Sequence, residues 1–282
     1  MKTEIFLDSG AWSAHTQNTT IDIDTYIEYI KKNQHLITTY ANLDVVNDGE
    51  TSYQNWLYMK KAGLDPMPVY HAETDIKYLK YYLKEVDYIA IGAIAAMTTS
   101  KRLENLDHIW FNYLVDDKLM PTHKFHGFGL TSLRILFRYP WYSVDSTSWV
   151  AFSRFGIILM PTQLQTQYKY DRPPVTVCVS KRSPSTMKFR QNFHNLDPAE
   201  KDKIIEYVED LGFEIGESEV EEVDGKIKEE VIKPGLMNDH KLRDQFNLLF
   251  FIKAEDSMGV WRRPLNINYT NTEQPREDIF SG

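Results

Sequence analysis

One cysteine, Cys178, occurs in 282 residues. That excludes an internal disulfide framework and any zinc site built from several thiolates. No stretch approaches the roughly eighteen consecutive apolar residues that suggest a membrane-spanning helix. The opening residues, MKTEIFLDSG, carry acids and a polar break where a secretory signal needs an apolar segment. The expectation is a cytoplasmic protein with no membrane partner. Low-complexity linkers and internal repeats are also missing, so the length points to one large domain or a domain with an appendage.

A cationic excess is lacking too, since the formal net charge is −8. Its location matters more than its sum. Residues 209–230 (EDLGFEIGESEVEEVDGKIKEE) hold ten acids and two lysines, which leaves the rest of the chain balanced. Residues 168–190 (YKYDRPPVTVCVSKRSPSTMKFR) are basic, interleaved with tyrosines, and contain one acid. The global charge therefore neither supports nor excludes a polyanionic partner.

What the chain does have is alternation. Apolar runs rich in β-branched and aromatic residues occur at 4–10, 37–46, 66–72, 88–93, 124–130 and 141–149. Between them, Ile23, Tyr26, Ile27 and Ile30 share one helical face, as do Ile76, Leu79, Tyr82 and Leu83. Helix starts are expected at 47–50 and 74–75. This β-α-β-α order predicts an α/β fold with a parallel sheet, open or closed into a barrel. Beyond residue 150, VAFSRFGIILMP and PPVTVCVS read as further strands, and NLDPAEKDKIIEYVEDLGF as a helix capped by Asn195. GESEVEEVDGKIKEEVIKPG reads as a hairpin around Asp-Gly, and KLRDQFNLLFFIKA as a helix or a helix running into a strand.

In parallel α/β folds, functional residues gather at the C-terminal ends of the strands. Here those ends carry Asp8 (DSG), Asp44 (NLDVV), His71 (PVYHA) and Asp145 (SVDST), and the remaining two carry glycines, Gly92 in IGA and Gly127 in HGFG. Each has a plain structural reading: an Asx-turn for Asp8, a helix cap for Asp44, a core histidine for His71. Asp145 resists one, because a carboxylate inside an apolar, aromatic run is costly to bury unpaired. The hydroxyls of Ser143, Ser146 and Thr147 are expected to hold it.

Taken in order, DSGAWS, NLDVV, PVYH, IAIGA, HGFG and SVDSTSW resemble the motifs of the tRNA-guanine transglycosylase superfamily of base-exchange enzymes. The likeness covers roughly residues 4–157. It implies a TIM-like (β/α) barrel, incomplete or atypically closed, because tRNA enzymes place about two strands ahead of the DSG motif. PPVTVCVS or NLLFFIKA would then stand in for missing strands. The implied layout is a catalytic barrel core over 1–160 and an elaboration over 161–282 that completes the barrel and contributes nucleic-acid contacts. The resemblance gives Asp8 the acid/base role and Asp145 the nucleophile's. Asp44 is placed to read the purine, and His71 falls where tRNA enzymes have a base-contacting glutamine. Ser9, Gly10, Gly92, Ala93, Gly127 and Trp12 fall around the base. Arg154, in SRFG, matches an Arg-containing turn after the nucleophile.

tRNA-acting members carry a Cys-x-Cys-x-x-Cys…His zinc site that one cysteine cannot supply. The chain is therefore more similar to the zinc-less phage and bacterial DNA transglycosylases, which exchange guanine for a 7-deazaguanine such as 7-cyano-7-deazaguanine. The implied partners are DNA, free guanine and the free 7-deazaguanine base, with no metal or cofactor, in the cytoplasm of a bacterium or phage-infected host. Such modification serves anti-restriction. Lys181, Arg182, Lys188 and Arg190, and separately Arg262 and Arg263 in GVWRRP, are candidates for phosphate contact; Trp12, Tyr70 and Trp149 are candidates for stacking or for packing. Three other readings stay open: tRNA as substrate, a metal-dependent barrel hydrolase using Asp8, Asp44, His71, His126 and Asp145, and a binding module without catalysis.

Overall fold

Strand and helix alternate in the computed structural model, which describes residues 4–92, 97–164, 167–183, 191–223 and 226–269. Up to Asp145 the elements are β1 (Ile5–Leu7), α1 (Ala11–Thr16), α2 (Ile23–Asn33), β2 (Ile37–Tyr40), α3 (Gly49–Lys61), β3 (Val69–His71), α4 (Ile76–Glu85), β4 (Tyr88–Gly92), α5 (Thr99–Ile109), β5 (Lys124–Gly127), α6 (Leu133–Arg138) and β6 (Ser143–Val144). Helix α5 runs on into a π-helical turn, Trp110–Leu114. Aspartates cap the expected helices. The side chains of Asp22, Asp48 and Asp75 accept from the backbone N–H of Thr25, Thr51 and Lys77, satisfying donors that the first helical turn leaves free. Of the sixth expected strand, 141–149, only Ser143 and Val144 pair.

The chain divides into two units: Met1–Thr131 with Arg138–Asp145 and Trp261–Ile267, and Ser132–Phe137 with Ser146–Val260 and Asn268–Gly282.

In the first unit every strand pairing is parallel. β1 lies beside β2, a parallel bridge joins Ala41 to Met67, and β3, β4, β5 and β6 follow in order. Spatial order thus tracks chain order, and the register sets His71 beside Gly92 and Gly127 beside Val144. All six C-terminal strand ends consequently lie on one edge. The side-chain period of two divides the sheet into faces. Ile89, Ile91 and Phe125 are fully buried on one face, where Phe125 meets Trp110 edge-on. On the other, Ala41, Met67, Val69 and Ala90 cluster with Phe6, Tyr88 and Phe128. The sheet is strongly curved toward this second face. Phe6 of β1 stacks on His126 of β5 with ring centroids 4.8 Å apart, whereas four spacings of a flat sheet would separate the strands by about 19 Å.

The second unit comprises α7 (Ser148–Arg154), β7 (Ile157–Met160), β8 (Thr162–Leu164), β9 (Gln167–Lys169), β10 (Val175–Cys178), β11 (Gln191–Asn192), α8 (Pro198–Asp210), β12 (Glu217–Val223), β13 (Lys226–Lys233) and α9 (His240–Met258). Two expectations change here, and two segments take a state the sequence allowed. VAFSR is helical, in α7. The α8 cap is Asp197, accepting from Glu200 N–H, because Asn195 closes a preceding 3-10 turn. NLLFFIKA is helical, since Arg243, Phe246, Asn247, Phe250 and Ala254 bury one face at helical spacing. PPVTVCVS forms β10, antiparallel to β7 and parallel to β11. Neither segment extends the parallel series of the first unit. The acidic hairpin is realised, with β12 and β13 antiparallel. Among the described residues no helix is long and apolar enough to cross a membrane.

Candidate active site

The site is built where β1, β2, β3 and β6 end. After β1 the chain turns at Gly10, whose φ of +77° disfavours any residue with a side chain. That turn leaves Asp8 exposed and buries Ser9. Ser9 Oγ donates to Asp44 Oδ1 at 2.6 Å and accepts from the Ala11 N–H. The other oxygen of Asp44, Oδ2, lies 2.9 Å from His71 Nε2. Asn47, at a φ of +61°, aims its N–H at His71 Nδ1, 3.0 Å away. With Nδ1 accepting, Nε2 carries the proton and donates to Asp44. Both nitrogens of His71, expected to contact a base, are thus spent within the site, where the ring orients Asp44.

The glycines have packing reasons. A Cβ on Gly92 would stand 2.9 Å from His71 Cδ2, so the glycine makes room for that ring. A Cβ on Gly127 would fall 2.3 Å from Leu130 Cδ1 and 3.1 Å from Trp141 Cε3. Gly127 therefore serves close packing against these two buried side chains.

Asp145 follows β6 and is half-exposed, its side chain 48% accessible. It is not embedded among apolar groups as its neighbours in sequence suggest. Oδ1 accepts from the Gly129 N–H at 2.8 Å and faces His126 Nε2 at 3.5 Å. Of the three hydroxyls expected to hold it, those of Ser143 and Ser146 are engaged elsewhere. Ser143 Oγ lies 2.7 Å from His126 Nδ1 and 2.6 Å from Tyr88 Oη. Ser146 turns to Ser148. His126 is 3% exposed, clamped between Phe6 and an edge-on Phe128 at 4.6 Å.

The two terminal carboxylates are tuned in opposite directions. Desolvation pushes Asp8 above the ordinary carboxylate value, and the nearby charges of Asp44 and Asp145 push it further. Desolvation acts the same way on Asp145, but His126 and the Gly129 N–H outweigh it and hold this carboxyl low.

Of the aromatic candidates, Trp12 stands 49% exposed on α1, four residues from Asp8. Tyr70 is buried with its hydroxyl donating to the Thr74 carbonyl, and burial pushes its phenol up to about 12, so it packs and does not stack. Trp149 lies in the second unit, on α7. There Arg154 and Arg182, both exposed, line an open cleft of about 470 Å³ with Ser180, Ser183, Asn238 and His240. Lys181 is tied down, its Nζ donating to the Ser218 carbonyl at 2.7 Å. Ala93, Lys188 and Arg190 lie outside the described residues. Among the described residues no three His, Cys, Asp or Glu side chains converge as metal ligands.

Sequence reasoning missed His126 as a partner of Asp145, and with it Tyr88 and Gly129. Period two puts Ser143 on the face of Asp145, a readable signal. The cross-strand register that seats His126 beside Ser143 is not written in either segment. No protein-family model and no curated protein matches the chain.

Proposed function

We propose that the chain is a base-exchange transglycosylase that replaces guanine in DNA with a 7-deazaguanine derivative through a covalent aspartyl-nucleoside intermediate. The observation that carries this reading is the gathering of three aspartates at the ends of parallel strands, Asp44 gripped by Ser9 and His71 and Asp145 tied by one oxygen to Gly129 N–H, with the outer pair of carboxylates pushed in opposite directions, Asp8 up and Asp145 down. Such a pair divides into an acid and a nucleophile. Asp145 accepts its hydrogen bond from Gly129 N–H on Oδ1, which also faces His126 Nε2 at 3.5 Å, and Oδ2 is left to attack C1′. As the C1′–Oδ2 bond forms, the C1′–N9 bond breaks, and its electron pair leaves on guanine as Asp8 supplies a proton. In the second half, Asp8 takes the N9 proton of the incoming base. N9 then attacks C1′, and the ester bond breaks to restore the Asp145 carboxylate. Two displacements retain configuration, as exchange within a strand requires.

Asp44, gripped by Ser9 and His71, keeps lone pairs for the N1–H and N2 amine of guanine. A buried acceptor of this kind rejects bases lacking those donors. Exposed Trp12 suits stacking on an extruded base. A TIM-like (β/α) barrel, atypically closed, suits six parallel strands wound in chain order and curved until Phe6 meets His126. DNA is favoured over tRNA because a single cysteine leaves no thiolate zinc site. Arg154 and Arg182 suit phosphate contact.

The test is incubation with a labelled 7-deazaguanine and either duplex DNA or tRNA. Label is expected in DNA, with none after Asp145→Asn. Label in tRNA but never in DNA overturns the substrate choice. No label in either, or full activity in Asp145→Asn, overturns the mechanism.

A further inference from the structure

We infer that His126, held by Ser143 and Tyr88, is a positioning residue that fixes which oxygen of Asp145 reacts. This rests on the transglycosylase reading for its chemistry, but the hydrogen-bond chain stands on geometry alone. Three side chains from three strands link Tyr88 Oη, Ser143 Oγ and His126 Nδ1 at 2.6 and 2.7 Å. Beyond them His126 Nε2 is shielded from solvent, without a hydrogen bond of ordinary length, and points at Asp145 Oδ1 from 3.5 Å.

For a neutral imidazole the chain has one self-consistent direction. If His126 Nδ1 donated to Ser143, and Ser143 to Tyr88, the imidazole lone pair on Nε2 would face carboxylate lone pairs, an unfavourable contact. Run the other way, Tyr88 donates to Ser143, Ser143 donates to His126 Nδ1, and Nε2–H is left to donate to Asp145. Every hydroxyl proton then has an acceptor, as buried polar groups require. Burial holds the Tyr88 phenol above its ordinary value, which keeps the first proton in place.

The contact at 3.5 Å closes to charge-assisted length with a shift of about 0.7 Å, and such bonds in unliganded sites are commonly long. With Gly129 N–H already on Oδ1 at 2.8 Å, both donors stabilise the same oxygen. Oδ2 becomes the attacking atom by exclusion. In the second half-reaction the same donors receive the charge that returns to the carboxylate. The stack with Phe6 and the edge contact with Phe128 prevent the ring from turning away.

The direction is read by nitrogen-15 correlation spectra of protein labelled at histidine. The expected result for His126 is a protonated Nε2 and an unprotonated Nδ1. A proton on Nδ1 overturns the inference whether or not the protein exchanges bases. Activity gives the second readout. His126→Phe keeps the ring packing and lacks the donor; it is expected to lower kcat about tenfold or more, with KM within about twofold. His126→Gln carries an amide N–H close to the Nε2 position and is expected to recover most of that loss. Tyr88→Phe is expected to fall between them. Equal kcat in all three variants overturns the positioning role. A wild-type protein that exchanges no base overturns the function instead, while the spectrum still decides the hydrogen-bond chain.

Discussion

Replacing Gly92 by alanine should strike the site through His71 and not through any contact with substrate. The added Cβ would stand 2.9 Å from His71 Cδ2, 3.3 Å from His71 Nε2 and 3.2 Å from Val69 Cγ1. Carbon atoms rest at about 3.5–4.0 Å, so the ring must retreat by roughly 0.6 Å or more. It is pinned at both nitrogens, by Asn47 N–H at 3.0 Å and by Asp44 Oδ2 at 2.9 Å, and it cannot move without lengthening one of these bonds. Overpacking typically costs about 1–3 kcal/mol. Most of a hydrogen bond to a charged group adds roughly another 1.5 kcal/mol. A total of about 2.5–4.5 kcal/mol lowers Tm by about 4–8 °C in a chain of this length. Thermal unfolding followed by circular dichroism measures it. The decisive comparison is a double-mutant cycle with His71→Ala. Once the ring is gone, Gly92→Ala meets only Val69, so the two losses should fall short of additivity by more than about 1 kcal/mol. Strict additivity, or an unchanged Tm in Gly92→Ala, would refute the reasoning.

Asp8 carries a second expectation, with a definite sign. Its folded value is raised, so its charged form is disfavoured by the fold. The cost is present above the raised value and vanishes as pH falls through it. Asp8→Asn should therefore raise stability at pH 7–8 by less than about 1 kcal/mol, because the group is exposed, and be seen as a small Tm gain. The gain should disappear in acid, and base exchange should be abolished throughout. A Tm gain that is the same at pH 4 and pH 8 would sink this account. In the second unit, Arg154→Ala combined with Arg182→Ala should weaken DNA binding and reduce its salt dependence by roughly one to two counterions. Titrations at several salt concentrations read the slope, and an unchanged slope removes both residues from the interface.

The six strands and helices α2, α3 and α4 were legible because local signals agree there, whereas α1, α5 and α6 were not read from the sequence. β-branched runs alternate with amphipathic segments, and Asp48 and Asp75 mark helix starts that the structure uses. Legibility fails where a segment's state is set by what packs on it. NLLFFIKA is apolar enough for a strand, and becomes helix because Phe246, Phe250 and Ala254 fall on one buried face. The site divides in the same way. Asp8, Asp44, His71 and Asp145 were visible as polar residues at strand ends, a one-dimensional signal. That Asp145 is half-exposed, and that its partner is His126 and not Ser146, depends on parallel register and on sheet curvature. Those are properties of pairs of segments.

On the proposed reading, three carboxylates at one edge would take three roles according to how their oxygens are occupied. Asp44 has both engaged, one by Ser9 and one by His71, which fixes its plane and suits it to recognising a flat, donor-bearing base. Asp145 has one engaged, by Gly129 with His126 behind it, which steadies the carboxylate and leaves the other oxygen free for bond formation. Asp8 is raised by burial and by the field of the other two acids, against which the backbone N–H groups of Ser9 and Gly10 lower it, conditions that suit a carboxyl to proton transfer. If that sorting is the design, moving a donor should move the role. A hydrogen bond added to Asp8 would lower its proton affinity and impair departure of the base before it impaired binding. Removing Ser9 by Ser9→Ala would loosen base selection, raising KM for guanine relative to kcat, and leave the Asp145 nucleophile intact. A Ser9→Ala protein with unchanged KM and diminished kcat would show that Asp44 works on the reacting bond and not on recognition.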